Sequence, residues 1–512
     1  MSELRFPDGV TIAQVRQALV EAFELDEGVE RDVERTFYDT FDGLLYEAGL
    51  SAVHHDGRLA LVERESGRER AALATAAPSA PLLAVELAPG ALRNALTPIV
   101  DVRALLALAT VRSRDLALDV LDDERKTVAR MTLVQPSLVA PAPAVAPLDP
   151  RLQLTGVRGY DRELEHVRQA LVTVLGYTVA DRPLVDEAVT AAGEAPGGTS
   201  LKLEVALDYD ERADAAAAAV LLALLAVIEG NLDGTIADTD SEFLHDLRVA
   251  VRRSRSVQRQ LQGVFPPYEL ARFRGEFRWL QQVTGDVRDL DVYVLEFDDY
   301  RAMVPAGLRP ELGPLLAVLH NRRAVARREM VAALRSERAA TLRSRWAALL
   351  SQLSALPADG RPDATRTIGE LSGERIRKVY RKMVRMGRGI DDSSPPEEYH
   401  ELRKSGKELR YLLELFGNPL YSSGVVRPMI KTLKALQDVL GRHQDREVQV
   451  ATMYALRDEV AGLPGGAGAL MGMGVLVERL GDDEQAARAE FAARFEEFAS
   501  PEQRHLVKTT FK

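Results

Sequence analysis

HDLRVAVRRSR at positions 245–255 recurs 155 residues later as HELRKSGKELR at 400–410. His, Leu, Arg, a further cation and a final Arg coincide. A second pair of blocks follows, LQQVTGDVRDLDV at 280–292 and LQDVLGRHQDREV at 436–448, at an offset of 156. Two matched blocks in the same order mark a duplicated unit, expected to pack with pseudo-two-fold symmetry. Both blocks carry helical periodicity, so the unit is a helical one.

The spacing also carries chemistry. His245, Arg248, Arg252, Arg255 and Arg259 recur at intervals of three and four and share one helix face. That stripe runs about 20 Å at 1.5 Å per residue. His400, Arg403, Lys407 and Arg410 repeat it, with Lys404 on the flank where the first copy has Val249. This substitution predicts that the second side is the more basic. Like charges at these spacings destabilise an isolated helix, so the stripes need facing acids or an anionic ligand. Asp289, Asp291, Asp445 and Glu447 in the downstream blocks are the internal candidates. Cations outnumber them: Arg375, Lys378, Lys382 and Arg385 form a third stripe with little acid nearby, and Arg278 and Lys434 take equivalent places in the two copies.

Around these blocks, apolar periodicity of three and four extends from Ala213 to the C-terminus. Breaks are expected at 230–234, 265–267, 356–360, 393–396 and 417–419. An all-α bundle over 213–505 follows, with halves of about 213–355 and 365–505. Residues 1–207 read differently. Leu116–Leu133 is a hairpin around an Asp-Asp turn, Leu138–Pro150 a Pro/Ala surface linker or long loop, 162–175 a helix, and Leu201–Leu207 a last strand.

Net charge is −11, yet residues 1–200 hold 20 Lys+Arg against 31 Asp+Glu, which leaves 46 of each in the remainder. Segregation within that neutral remainder builds local fields: 374–388 carries seven cations and one anion, and 391–401 only acids. The chain has no cysteine, which excludes disulfides, thiolate metal sites and cysteine nucleophiles. No uninterrupted apolar run approaches the ~20 residues of a membrane helix, and MSELRFPDG has no signal-peptide pattern. A cytoplasmic protein without a membrane partner is the expectation.

Facing stripes of guanidinium and ammonium suit a long, regularly charged anion, since Arg forks match phosphate oxygens. Nucleic acid would call for interleaved aromatics. Trp279, Phe273 and Phe277 are spaced for core packing, so a polyphosphate-like anion fits better than RNA or DNA. Zinc is not expected, because no close His/carboxylate set exists and arginines surround both histidines. For His245 and His400, a capping or packing role competes with anion contact.

HDLRVAVRR at 245–253, VRDLDV at 287–292 and the second His400/Lys407/Arg410 copy resemble the CHAD domain, a helical family of two related halves. That resemblance implies binding of inorganic polyphosphate through basic residues lining a central groove, and association with polyphosphate granules. The expected binding set is His245, Arg248, Arg252, Arg253, Arg255, Arg259, Arg278, Arg375, Lys378, Lys382, His400, Arg403, Lys404, Lys407, Arg410 and Lys434. No catalytic residue, metal or cofactor belongs to it.

FYDTFDGL at 37–44, Val111-Arg-Ser-Arg114 with the following hairpin, and Lys202 resemble a divergent CYTH domain, an antiparallel barrel that hydrolyses triphosphate or polyphosphate. The family's Glu-x-Glu-x-Lys does not occur in residues 1–36, where Glu27, Glu30 and Glu34 are differently spaced. Its Leu-Arg-x-Arg has become Leu59-Ala-Leu-Val-Glu63-Arg64. Asp119, Asp122, Asp123 and Glu124 read as turn acids rather than metal ligands. The expected fold is thus an α+β, antiparallel barrel-like domain over 1–207, catalytically degenerate, followed by the helical domain. The alternative function is a metal-dependent triphosphatase or polyphosphatase using the first domain.

Overall fold

The structure, a computed structural model, describes residues 2–7, 9–78, 81–141, 145–199, 205–391 and 393–512. It divides into two compact units, Met1–Leu201 and Lys202–Lys512.

The first unit is an antiparallel half-barrel. Its strands run, in order across the sheet, Thr178–Val179, Ser2–Arg5, Arg151–Gly156, Thr127–Ala140, Ala104–Leu121, Arg31–Asp39, Leu50–His55, Arg58–Glu63 and Glu69–Ala74. The hairpin expected at 116–133 is its spine, extended outward to Ala104 and Ala140. Asp122 closes the turn, its carboxylate accepting from the Glu124 and Lys126 amides at 3.0 and 2.8 Å, while Asp119 faces Arg130 at 3.7 Å. Asp122 and Asp119 are therefore spent on turn and cross-strand pairing. The linker expected at 138–150 is partly sheet: the strand continues through Ala140, and Ala146–Pro147 pairs back onto it. Leu138 and Leu148 are buried in one apolar cluster, which holds that stretch down. Helix Asp161–Thr173 occupies the helical stretch. Of the strand expected at 201–207, residues 201–204, including Lys202, lie outside the described residues, and 205–207 are irregular.

Period-two alternation loads both faces of this sheet. Phe37, Val53, Ala60, Ala109 and Val111 pack against Leu184, Ala188 and Val189 of helix Leu184–Ala191. Tyr38, Ala52, Leu59, Leu61 and Leu105 pack against helix Ala91–Val100 on the other side. Asp186 and Glu187 of the Leu184 helix hold Arg64 and Arg151, and Arg151 also donates to Glu3 at 2.8 Å. Arg151 is 1% exposed, so the two carboxylates compensate a charge removed from water. Asp39 of the FYDTFDGL segment is buried and accepts from the amides of Thr40, Leu45 and Tyr46 at 2.7, 2.9 and 2.9 Å. Its carboxyl pKa is raised by burial against the pull of those three amides.

In the second unit almost every segment is helical. The helical stretch Ala213–Ala237 is long and apolar enough to cross a membrane by length and composition, and half of that apolar window is buried inside the unit. Helices Ser241–Gln260, Pro267–Val283, Glu337–Gln352, Ile368–Gly387 and Pro396–Leu412 surround it in one large core. Phe273 and Phe277 close on Trp346 within it, at ring-centroid distances of 4.6 and 5.5 Å, whereas Trp279 is half-buried beneath the Arg338 guanidinium. A second cluster joins helix Gly313–Leu334 to the hairpin of Ser423–Ala461 and Gly466–Phe498. Asp214 and Arg361, both fully buried, pair at 2.6 Å and tie the start of the Ala213 helix to the 356–364 loop.

Two expected breaks differ. At 230–234 the chain re-enters helix at once, as Leu232–Ala237. At 417–419 it runs on through a widened turn, Leu413–Gly417, into Asn418–Leu420. Pro419 sits in the first turn of that last piece, where its missing N–H costs no helical bond.

Candidate functional site

Asp240 caps helix Ser241–Gln260 by accepting from the Glu242 and Phe243 amides at 2.9 and 3.2 Å. Phe243, Leu247, Ala250, Val251 and Val257 turn to the core, which leaves Arg248, Arg252, Arg255 and Arg259 on one side of the helix. Helix Pro396–Leu412 begins with Pro at its first position and acids in its first turn, and buries Tyr399, Leu402, Leu409 and Leu412. Gly406 lets it approach Gln437 and Met383 closely: a Cβ there would meet them at 3.2 and 3.5 Å.

Two cavities lie along these helices. The first, of about 550 Å³, is lined by Arg248, Arg252, Arg255, Arg259, Arg274, Arg278, Lys404 and Lys407, with Glu408 as its one carboxylate. The second, of about 520 Å³, has Arg403, Lys407, Arg410, Arg442 and Arg446 facing Glu296, Asp299, Asp438 and Asp445. Lys407 belongs to both. The basic side is therefore that of the first copy, contrary to the expectation drawn from Lys404, because Lys404 itself opens onto the first cavity and the second is rich in acid.

Hydrogen bonds fix the cations in place. Arg248 donates to the Gln281 carbonyl at 2.9 Å and the Thr284 hydroxyl at 3.0 Å, and Arg255 donates to the Gln281 side chain. Arg274 donates to the Gln258 carbonyl at 2.9 Å. Arg259 pairs with Glu408 at 2.8 Å, and Lys404 with Glu401 at 2.6 Å. Among the described residues, Arg248, Arg252, Arg255, Arg274, Arg278 and Lys407 make no ion pair, and the Arg252 Nε and both amide atoms of Gln258 are buried without a hydrogen-bond partner. Buried polar atoms without partners are rare in folded proteins and mark a place where further chemistry fits.

The electrostatics agree. Burial lowers the Arg248 and Arg255 pKa values, and Arg252 adds to the effect on the first, Arg259 and Arg278 on the second. Lys407 is pushed down to about 7 by burial, then by Arg403 and Arg252, against the pull of Asp445. A site that disfavours its own positive charge this strongly favours an anion.

The acids offered as internal partners take up little of this. Asp445 pairs with Arg403 at 3.0 Å, but Asp291 is engaged by Arg323 on helix Gly313–Leu334, and Glu447 accepts from Gln444 at 3.2 Å. Asp289 is exposed in the field of Arg248, and desolvation raises its pKa.

Several residues of the expected set lie elsewhere. Arg253 pairs with Glu414 at 2.8 Å and lines neither cavity. Arg375 pairs with Asp363 at 3.0 Å and Glu374 at 3.5 Å, so the third stripe loses its first member to acids from the preceding loop and turn. Lys378 and Lys382 are exposed on helix Ile368–Gly387, and Lys434 on Ser423–Ala461; none lines either cavity. His245 and His400 are half-buried outside both cavities, and the His400 Nδ1 bonds to the Gln444 Oε1. Sequence reasoning passed over Arg274, Gln281, Arg442 and Arg446. Arg274 is one turn before Arg278, and Gln281 and Arg442 stand inside the repeated blocks. No cluster of three His, Asp or Glu suited to a metal occurs among the described residues.

The two copies meet their downstream helices alike. A Cβ on Gly285 would stand 3.7 Å from the Arg248 guanidinium, and one on Gly441 3.8 Å from that of Arg403. In both copies the first arginine of the stripe lies against a glycine of the downstream helix. Residues 219–454 match the family model of the CHAD domain. The chain contains a CHAD domain.

Two uncharacterized proteins of Mycobacterium tuberculosis, from strains CDC 1551 / Oshkosh and H37Rv, are each 30% identical over 215 residues. Those matches cover 40% of this chain and 39% of each relative, well under half the length of either protein. The crystal structure of the CHAD domain from the plant Ricinus communis is similar at 26% identity and a TM-score of 0.48, over 57% of this chain and 96% of that one. PptA from Streptomyces chartreusis is similar at 17% identity and a TM-score of 0.43, over 56% of this chain and all of that one.

Proposed function

We propose that the CHAD domain binds inorganic polyphosphate in the groove formed by the two cavities. One observation carries the reading: eight cations line the first cavity against a single carboxylate, six of them without an ion pair among the described residues. A flexible chain of phosphates supplies evenly spaced anions to that lining, and Arg forks match their oxygens. The parallel seating of Arg248 on Gly285 and Arg403 on Gly441 supports two related halves around the groove. Cytoplasmic residence and association with polyphosphate granules belong to the same proposal.

The first unit, on this reading, is a divergent CYTH-like barrel without turnover. Support comes from its sheet faces, which are filled by apolar side chains and helices, and from Arg64, Arg103 and Arg151, which are already paired with Asp186, Asp42, Glu3 and Glu187. Titration of the full chain with long-chain polyphosphate, beside a phosphate-release assay with tripolyphosphate and magnesium, tests both statements. Salt-sensitive binding without release is expected. Release would restore the triphosphatase alternative, and binding unchanged in Arg252→Ala/Arg255→Ala would remove the groove.

A further inference from the structure

Outside the groove, helix Ile368–Gly387 carries a second concentration of positive charge. Its inner face, Ile376, Val379, Tyr380, Met383 and Val384, is buried in the core. The opposite face exposes Lys378, Arg381, Lys382 and Arg385, and Arg388 follows just past the helix end. Among the described residues none of these five makes an ion pair. Pairing is common elsewhere on this unit, as in Arg338 with Glu276, Arg442 with Glu490 and Arg446 with Asp483. The unpaired run starts one turn after Arg375, the last member held by acids.

Neighbours at i,i+3 and i,i+4 along this face all repel, which an isolated helix disfavours. The helix dipole rewards cations only within the last turn, which accounts for Arg385 and leaves Lys378 and Arg381 without compensation. A partner of opposite charge supplies it. Helix Ile368–Gly387 packs against helix Pro396–Leu412, whose Lys404 lines the first cavity. Glu401 is held below the usual carboxylate range chiefly by its hydrogen bond from Lys404, with the Lys382 field adding to it. Lys404 lines the first cavity, so Lys404, Glu401 and Lys382 bridge from the groove to this helix.

What the face lacks narrows the partner. Its only aromatic, Tyr380, is 3% exposed and donates inward to the Phe498 carbonyl, so no ring is offered to a base. Its large apolar side chains are turned to the core, so nothing is offered to a bilayer.

We propose that the outer face of this helix is a track for the same polyphosphate, reached from the groove over Lys404. Chains longer than the groove gain contacts there that short ones do not reach. Lys378 to Arg388 spans about 15 Å of helix. The inference rests on the groove reading and extends it to a preference for chain length.

The test uses the full chain with tripolyphosphate and long-chain polyphosphate, and two variants: Lys378→Ala/Arg381→Ala/Lys382→Ala/Arg385→Ala on the track, and Arg252→Ala/Arg255→Ala in the groove. The track variant is expected to keep tripolyphosphate affinity within about twofold and to weaken long-chain binding at least about tenfold. Its salt slope for the long chain should also be shallower, since fewer counterions are displaced. Long-chain affinity equal to that of the unmodified protein, or equal losses for both ligands, would overturn the track. An unaffected groove variant would instead refute the groove reading, and with it the track as its extension. Tighter binding of RNA at equal charge, lost in the track variant, would replace polyphosphate by nucleic acid.

Discussion

Lys407 gives the groove a pH dependence whose size follows from its surroundings. Its ammonium faces Arg403 and Arg410 on its own helix, Arg252 on Ser241–Gln260 and Asp445 on Ser423–Ala461, and it titrates at about 7. An unfolded lysine titrates near 10.4, so above about pH 7 the unfolded chain holds the extra proton. Stability therefore rises with pH across that window, and the full burden of the charged lysine is felt below it. A bound polyanion reverses the bias: it raises the Lys407 pKa, so binding takes up a proton wherever the free lysine is neutral. Between pH 6 and 8 the protonated fraction of a group titrating at about 7 falls from about nine-tenths to about one-tenth. The association constant should then fall about tenfold, or about 1.4 kcal/mol. Calorimetric titration with long-chain polyphosphate at pH 6, 7 and 8, at constant ionic strength and in two buffers of different ionisation enthalpy, reads both the constant and the proton count. Lys407→Arg stays charged throughout, so its binding should be strong and nearly flat with pH. Lys407→Met should be weaker and equally flat. If the wild-type slope persists in both variants, the reasoning about Lys407 is wrong.

Other expectations concern stability and groove chemistry. Arg361→Met leaves the buried Asp214 carboxylate with Arg212 as its remaining ion-pair partner at 2.8 Å and should cost about 1–3 kcal/mol, read as a lower denaturation midpoint. Asp39→Ala removes the acceptor for the amides of Thr40, Leu45 and Tyr46, the last two in the short helix Leu44–Glu47, and should destabilise the first unit by about 1–3 kcal/mol. Gly387→Ala drives a methyl into the Phe495 ring and should cost about 1–3 kcal/mol, checked by thermal unfolding. Gln281→Ala removes the side-chain acceptor of Arg255 and leaves the main-chain carbonyl that holds Arg248, and polyphosphate affinity should drop with little change in melting temperature.

Much of the architecture was legible because it is written as periodicity. Spacing of three and four marks out the helical unit that the structure shows. What failed was reading charge partners across sequence distance. Arg375 looked free because Asp363 lies in the preceding loop, and Arg253 looked like a groove residue until Glu414 is seen beneath it. Lys404 pointed to the wrong copy, because an i+1 step on a helix turns a side chain toward the neighbouring cavity rather than its own. Gln281 escaped notice because a neutral side chain carries no charge signal, although it sits inside the repeat. In the first unit the hairpin was visible from alternation, but its length was not. Leu138 and Leu148 are held by a cluster whose members come from six separate segments.

The unequal acid content of the two cavities has a consequence for anything threaded through both. A linear anion lying across Lys407 would sit on a gradient, gripped where one carboxylate stands among eight cations and held loosely where four stand among five. On the proposed reading the two cavities would act as an anchor and a slack end. At the slack end a bound polymer would be free to exchange or to be shortened by another enzyme while the rest stayed moored.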